Sequence, residues 1–391
     1  MASTWCGRSG KARPLACTYG FLSTHPPTRC GLATFNSALA AHLTRDGLLG
    51  GVVRVTSDGD DEPPPPEVVH TWSPSGLGGW RAAASALEEF DVAIVQHEYG
   101  IYPGPNGEDV LPLLRCLAVP SVVVLHTVLA GPTLQQKDLL EEIAAAAGVI
   151  VTMTGTARDR LLAGYRVDAA KVVLIPHGTA DHRRIPARRQ VRPHLLTWGL
   201  LGPGKGLEWA LGALALLDDL SPTYTIAGKT HPKVLESQGE AYRESLYALA
   251  ARLGVVPAVR HDPVYRDQWS LGRLIRSADV VVLPYDSTEQ VTSGVLIEAV
   301  AAGVPVVATP FPHAVELLTG GPGLLVPHAD PVALAAAVRR VLTEPGLADE
   351  LAGRTRLLVS SLLWPAVADR YAGLVRALLA ERPAMTAAAI P

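Results

Sequence analysis

At 391 residues the chain is long enough for two domains, each with its own core. A net charge of −3 and a pI near 6.5 exclude the basic footprint of a nucleic-acid binder. Cys6, Cys17, Cys30 and Cys116 show neither metal-ligand spacing nor a disulfide framework, no apolar run reaches the roughly 18 residues of a membrane span, and residues 1–14 lack the apolar core of a signal peptide. The expectation is a cytoplasmic protein, with peripheral contact at the inner membrane face through the first domain left open.

Leu15 to Gly20 reads as a first strand, and Pro26 to Phe35 as the loop and helix start after it, with Gly31 in the turn. Asp58-Gly-Asp60-Asp61 is a DxD triplet, a pattern able to hold a divalent metal. Glu62 and Pro63 to Pro66 follow it, so it reads as an acidic surface loop instead. Asp91 to Glu98 is a strand ending in His97 and Glu98, followed by Tyr99-Gly-Ile-Tyr102. Ser121 to His126 is another, with Thr127 next. In open α/β sheets ligands gather outside such carboxyl ends, which raises His97 and His126 above ordinary structural histidines. Val173 to Gly178 (VLIPHG) is a further strand-end loop.

His182 to Pro193 breaks the pattern and carries Arg183, Arg184, Arg188, Arg189 and Arg192. It marks a domain boundary, giving 1–185, 186–362 and a final piece 363–391. The arginines read either as a solvated basic linker or as a wall facing a diphosphate or an acidic lipid head group. His194 to Gly206 is then strand, glycine loop (Gly199, Gly202, Gly204, Gly206) and helix start. Unpaired N–H groups and the macrodipole at such a start attract anions, and Lys205 adds a point charge. Ala227-Gly-Lys-Thr-His-Pro232 is a similar strand-end loop, in which His231 is a lesser candidate for donor contact.

Val280 to Pro310 is the most informative stretch. Val280 to Leu283 is a buried strand, Tyr285 to Thr292 a polar loop, and Ser293 caps a helix stopped by Gly303-Val304-Pro305. Val304 to Thr309 completes a βαβ unit. A lone helix carboxylate usually faces solvent, but Glu298 lies among Leu296, Ile297, Ala299 and Val300. Burial would leave it in need of donors such as the hydroxyls of a sugar or ribose.

With its glycine loop, this stretch resembles the family 4 glycosyltransferases of the GT-B fold, which carry a Glu, seven residues and a second Glu here. Gln290 and Glu298 hold those positions, followed by Ala299 and Gly303. The resemblance runs from about Leu15 to Leu379. It implies an α/β chain of two Rossmann-like domains facing across a cleft: an acceptor domain (1–185), a nucleotide-sugar domain (186–362) and a last helix within Ser360 to Leu379 that crosses back. It also implies that Glu298 binds ribose, and that Gln290, His126 and the neighbouring Glu289 lie near the transferred sugar. Gly31, Gly199, Lys205, Gly206, Ser293, Gly294 and Val295 would surround the donor phosphates. Leu200 stands where the family commonly has an Arg, so a cation is missing there.

The reaction so implied is transfer of a hexosyl unit, mannose by the same resemblance, from a nucleoside diphosphate sugar to an acceptor hydroxyl. Retention is expected, with His126, Lys205 and Gln290 at the reacting centre and no metal or cofactor. The acceptor, a glycan, lipid or small molecule, is not named by any motif. A nucleotide-sugar binding protein without catalysis and a GT-B-type phosphorylase or epimerase remain as alternatives.

Overall fold

The computed structural model describes residues 17–45, 49–57, 62–186 and 190–381. Strand and helix alternate as the sequence pattern demands. The first set is β1 (Tyr19–Ser23), α1 (Gly31–Leu43), β2 (Gly50–Val55), β3 (Val68–Trp72), α2 (Gly79–Leu87), β4 (Val92–His97), α3 (Val110–Cys116), β5 (Ser121–Leu125), α4 (Leu134–Ala146), β6 (Val149–Thr152), α5 (Gly155–Gly164) and β7 (Val172–Leu174). The second is β8 (His194–Trp198), α6 (Leu207–Ala215), β9 (Thr223–Ala227), α7 (Pro232–Gln238), α8 (Ala241–Arg252), β10 (Val259–Asp262), α9 (Gln268–Ile275), β11 (Val280–Leu283), α10 (Gly294–Ala301), β12 (Val306–Ala308), α11 (Pro312–Leu318), β13 (Gly323–Leu325) and α12 (Pro331–Thr343). Then α13 (Leu347–Leu362) and α14 (Trp364–Ala380) close the chain.

Among the described residues the strands form two parallel sheets, ordered β3-β2-β1-β4-β5-β6-β7 and β10-β9-β8-β11-β12-β13. Parallel strands covered on both faces must be apolar throughout, which is why Val92 to Val95 and Val280 to Leu283 are buried without alternation. Strand order reverses between β1 and β4 and between β8 and β11, so each sheet has a switch-point crevice at its carboxyl edge. Local chemistry starts the helices that line these crevices. Cys30 caps α1, Thr154 caps α5 and Ser293 caps α10, each accepting a backbone N–H three residues on.

The sequence predicts one helix within Ser360 to Leu379, but the structure has two. Leu363 adopts an extended conformation (φ −72°, ψ 143°), and Pro365 sits in the first turn of α14. A proline there removes a backbone donor and suits a helix start, which explains the break. The break also carries the chain back to the first sheet. The amide of Thr179 donates to the Leu362 carbonyl and that of Trp364 to the Thr179 carbonyl, both at 2.9 Å. Beyond it Trp364, Val367, Ala368, Tyr371 and Val375 join Phe21, Phe35, Ile94 and Val124 in one buried cluster. Gly178 is glycine because a Cβ there would lie 2.2 Å from the Trp364 ring.

Other boundaries differ in detail. The described part of the first strand begins at Tyr19, with Leu15 outside the described residues. The strand predicted over Val304 to Thr309 pairs only over Val306–Ala308. Asp58, Asp60, Asp61, Arg188 and Arg189 also lie outside the described residues. The neighbouring arginines are not free to face a diphosphate. Arg183 is paired with Asp181 at 2.8 Å, and Arg192 donates to the carbonyls of Ser221 and Pro222. Arg184 is exposed, 3.7 Å from Asp181.

Trp364 is 4% exposed and fastens the returning helix. Trp364→Ala is expected to cost about 3–5 kcal/mol, the usual toll for an aromatic truncated in a core. Urea denaturation would read this as a lowered midpoint, and an unchanged midpoint would mean that α14 is not part of the first domain's core.

Candidate active site

The donor-site residues predicted on the glycine loop and on α10 meet where β8 and β11 end. Glu298 lies one turn into α10, and its Oε2 accepts the indole N–H of Trp198 at 3.0 Å. That is its side-chain donor among the described residues. Burial therefore pushes the carboxyl well above its ordinary range, to about 7, although the indole works against the rise. Ser293 caps the same helix, its Oγ accepting the Leu296 amide at 3.3 Å. The Ser293 amide donates to Nδ1 of the buried His313 at 2.8 Å. This leaves the amides of Gly294 and Val295, which a helix start cannot pair internally, directed out of the helix.

Across from them runs the glycine loop. Gly206 has φ +59°, and a Cβ there would fall 1.8 Å from the Pro284 carbonyl oxygen, so only glycine fits between loop and β11. The close approach brings Lys205 over the Tyr285 ring, with Nζ 4.2 Å from its centroid. Burial lowers the Lys205 pKa, the mark of an ammonium held without a counter-charge. The α6 start, the α10 start and Lys205 thus present donors to one place, a suitable seat for a diphosphate. Gly199, with φ +127°, contributes backbone rather than a charge.

The first domain supplies the opposite wall. His126 ends β5 and packs edge-on to Phe35, with ring centroids 4.9 Å apart. Its orientation comes from a polar chain that is buried except at its Glu67 end. His126 Nε2 and Gln96 Oε1 are 2.9 Å apart, Gln96 Nε2 donates to Asn36 Oδ1 at 3.5 Å, Asn36 Nδ2 meets His25 Nδ1 at 3.2 Å, and His25 Nε2 meets Glu67 Oε1 at 3.2 Å. Every proton in this chain points toward Glu67, so His126 carries its proton on Nε2. Burial and the neighbouring His177 and His97 hold its pKa down to about 3. His126 is a neutral ring at pH 7 and brings no positive charge. His177 and His313, each lowered to about 4 by burial, are likewise neutral.

Gly31 is the first residue of α1, in the loop after β1. Buried Arg54 holds that loop from beneath, donating to the His25 carbonyl at 3.3 Å and to Thr28 Oγ1 at 3.0 Å. From the other domain Tyr265 reaches over, its hydroxyl 3.0 Å from Thr34 Oγ1. Arg29 and Glu298 both act electrostatically on Tyr265, and Arg29 is exposed in the loop that leads into α1.

Glu289 is the clear correction among the expected donor contacts. Its Oε2 accepts from Arg160 at 3.0 Å and from the Ala130 amide at 2.8 Å, both in the first domain. Its Oε2 is committed across the domains to the first domain, while the side chain stays 43% exposed. Its neighbour Val291 is 2% exposed within the first domain's core, and Thr154 Oγ1 donates to the Val291 carbonyl at 3.0 Å. A loop anchored at Val291 has to turn Glu289 toward Arg160. Gln290 keeps its amide near the α10 start, Nε2 donating to the Thr292 carbonyl at 3.3 Å and Oε1 left to accept. His231 is taken up locally, its Nδ1 accepting the Lys233 amide at the start of α7.

Sequence reasoning missed Trp198, His177, His313 and Arg160. Trp198 lies in an apolar strand and reads as core, and nothing in the sequence pairs Arg160 with Glu289 (129 residues apart). His177 had one signal, its place in the strand-end loop before Gly178. Its ring lies 3.3 Å from where a Gly294 Cβ would be.

Residues 192–344, which hold the glycine loop, Lys205, Gln290 and Glu298, match the family described as Glycosyl transferases group 1. The match is confined to this domain. It is 30% identical over 253 residues to the D-inositol 3-phosphate glycosyltransferase of Streptomyces avermitilis, an alignment covering 61% of this chain and 53% of the relative. With the protein of the same name from Streptomyces griseus it shares 29% over 327 residues, 80% of this chain and 66% of the relative. The chain thus spans little more than half of the first relative's length. Anabaena HepE in complex with UDP and glucose superposes with a TM-score of 0.72 at 16% identity, covering 92% of this chain and all of that one. Sucrose-phosphate synthase from Thermosynechococcus elongatus gives 0.71 at 21%, covering 94% of this chain and all of that one. The fold is GT-B.

The perturbed carboxyl yields a signed prediction. Ribose hydroxyls would donate to ionised Glu298 and draw its pKa down from about 7. Binding then releases a proton, so nucleotide affinity should rise with pH through about 7, by up to about tenfold per unit below that value. Calorimetry on wild type and Glu298→Gln separates this from titration of the nucleotide's own phosphate. Identical pH profiles for the two proteins would place Glu298 outside the ribose site.

Proposed function

We propose that the protein transfers a hexosyl unit from a nucleoside diphosphate sugar to an acceptor hydroxyl, with retention of anomeric configuration and without a metal. The observation that carries the reading is Glu298: a buried carboxylate one turn into α10, facing a loop that presents Lys205 and two helix starts. A ribose supplies the donors that Glu298 lacks, and a diphosphate supplies the charge that Lys205 lacks. The HepE structure holds UDP, which supports the same class of donor here.

The residues divide the work. The Gly294 and Val295 amides, Lys205 and the α6 start stabilise the leaving diphosphate as the anomeric C–O bond breaks and charge gathers on its oxygen. Arg29, in the loop that leads into α1, supplies the cation absent at Leu200. Neutral His126 presents its Nδ1 side toward the sugar, and Gln290 offers its amide oxygen to a hydroxyl. The new bond forms from acceptor oxygen to the anomeric carbon, and the acceptor proton passes to the departing phosphate oxygen. Gln290 carries no charge where the family has a Glu, so it cannot serve as a covalent nucleophile, in keeping with same-face attack. Resemblance to the family favours mannose as the transferred sugar.

A charge-assisted hydrogen bond of the Lys205 kind contributes about 1.5–3 kcal/mol. Lys205→Ala should therefore lower kcat/KM at least tenfold, and Arg29→Ala should lower it in the same direction. Steady-state assays of nucleotide release measure both effects, and unchanged kinetics in Lys205→Ala would remove it from the diphosphate seat. Proton NMR of the product reads the anomeric configuration, and an inverted product would contradict the retaining mechanism.

A further inference from the structure

A cavity of about 490 Å³ lies between α9 and the β8-β9-β10 side of the second sheet. Its floor departs from the rule for a covered parallel sheet, which ordinarily presents apolar residues to its helices. His194, Thr225 and Asp262 are buried there, and Arg260 shares their face, two residues before Asp262 on β10. The other face of the same strands carries Leu195, Tyr224 and Ile226, which belong to the second domain's core. The cavity reaches His194 and Ser277 at the amino ends of β8 and β11, whereas Lys205 and Glu298 lie past their carboxyl ends. No residue assigned above to the diphosphate seat lines it.

Three guanidinium groups line this cavity, those of Arg260, Arg266 and Arg273, against the single carboxylate of Asp262. Arg266 pairs with Asp262 Oδ2, and Arg260 lies 3.9 Å from the same oxygen. One carboxylate oxygen is thus shared by two arginines, and Arg266 Nε is enclosed without an acceptor. Arg273 has no carboxylate partner among the described residues and lies over the exposed Trp269 ring, 4.8 Å from its centroid. The neighbouring acids are turned to backbone. Asp267 accepts the Trp269 and Ser270 amides at the start of α9, and Asp279 accepts the His194 amide at 2.8 Å. The lining therefore holds two more positive charges than negative ones, on a concave surface that concentrates their field.

We propose that this cavity is a second anion site, separate from the nucleotide crevice, and that it binds a phosphomonoester dianion. An arginine fork matches two oxygens of one phosphate, and the side chains of Arg260 and Arg273 are exposed and free to turn toward it. A dianion matches the surplus charge of the lining, which a carboxylate balances only in part. Arg266 stays with Asp262 and adds its charge to the field. The cavity is larger than a phosphate group needs, so it also takes the alcohol part of the ester. A soluble sugar or glycerol phosphate and a phosphatidate head group offer this same chemistry.

The site does not depend on the transferase reading, so binding alone tests it. Glycerol 3-phosphate is titrated by calorimetry into wild type, into the double variant Arg260→Gln, Arg273→Gln, and into Lys205→Ala. Wild type should bind saturably, and the double variant at least about tenfold more weakly. Lys205→Ala, which alters only the crevice, should bind as wild type does. Arg273→Gln alone serves as the second variant if the double one fails to fold, with weakening in the same direction. Flotation with vesicles of phosphatidate in phosphatidylcholine, against phosphatidylcholine alone, identifies the source. Phosphatidate-dependent flotation that the arginine variant loses assigns a lipid head group, and glycerol 3-phosphate binding without flotation assigns a soluble ester. No binding in either arm, binding untouched by the arginine variants, or binding lost in Lys205→Ala would each overturn the proposal.

Discussion

Glu298 is a carboxylate in a helix whose other early residues are apolar. Removing such a charge from water costs several kcal/mol unless donors surround it. Trp198 provides one, and the remaining shortfall is expressed as a pKa near 7. The surroundings keep that deficit in place. His313 and Ser293 fix the start of α10, and Gly206 lets the loop approach within a carbonyl's reach of β11. Lys205 is the matching case of opposite sign, an ammonium whose charge is disfavoured by burial. Burial disfavours charge at both points, and a molecule carrying vicinal hydroxyls and a diphosphate would relieve both.

The crevice has two walls because the second domain is fastened to the first beside the chemistry. Val291 enters the first domain's core, Arg160 clasps Glu289, and both Glu316 oxygens cap the start of α5 through the amides of Gly155 and Thr156 at 2.8 Å. These contacts lie on the loop before α10 and on α11, so the position of the α10 start relative to His126 is set by packing across the domains. Return of α14 through the break at Leu363 adds a second tie at the same end of the linker. A relay from exposed Glu67 through buried His25, Asn36 and Gln96 to His126 then fixes one tautomer at the first domain's contribution.

Much of this was legible in the residues. Val280 to Leu283 and Asp91 to Glu98 are apolar runs of strand length, and parallel sheets leave such runs no alternative place. Glu298 stood out because its neighbours admit only a buried helix. Ser293 and Gly303 mark the ends of that helix by their capping chemistry. Contacts between distant segments were not legible. No periodicity joins Arg160 to Glu289, so a carboxylate next to Gln290 reads as a donor contact until the fold shows its partner. The break at Leu363 carried a signal in Pro365, but a helical pattern on both sides concealed it. Trp198 was invisible for a different reason: an indole in an apolar strand reads as packing, and only the fold turns its N–H toward Glu298.

The account stands most directly on nucleotide recognition at Glu298. Calorimetric titration of UDP, GDP and ADP into the purified protein and into Glu298→Ala tests it. Saturable binding of one nucleotide, weakened at least about tenfold in the variant, is the predicted result and also fixes the base of the donor. No binding of any of the three, or binding untouched by the substitution, would contradict the assignment of this crevice to a nucleotide sugar.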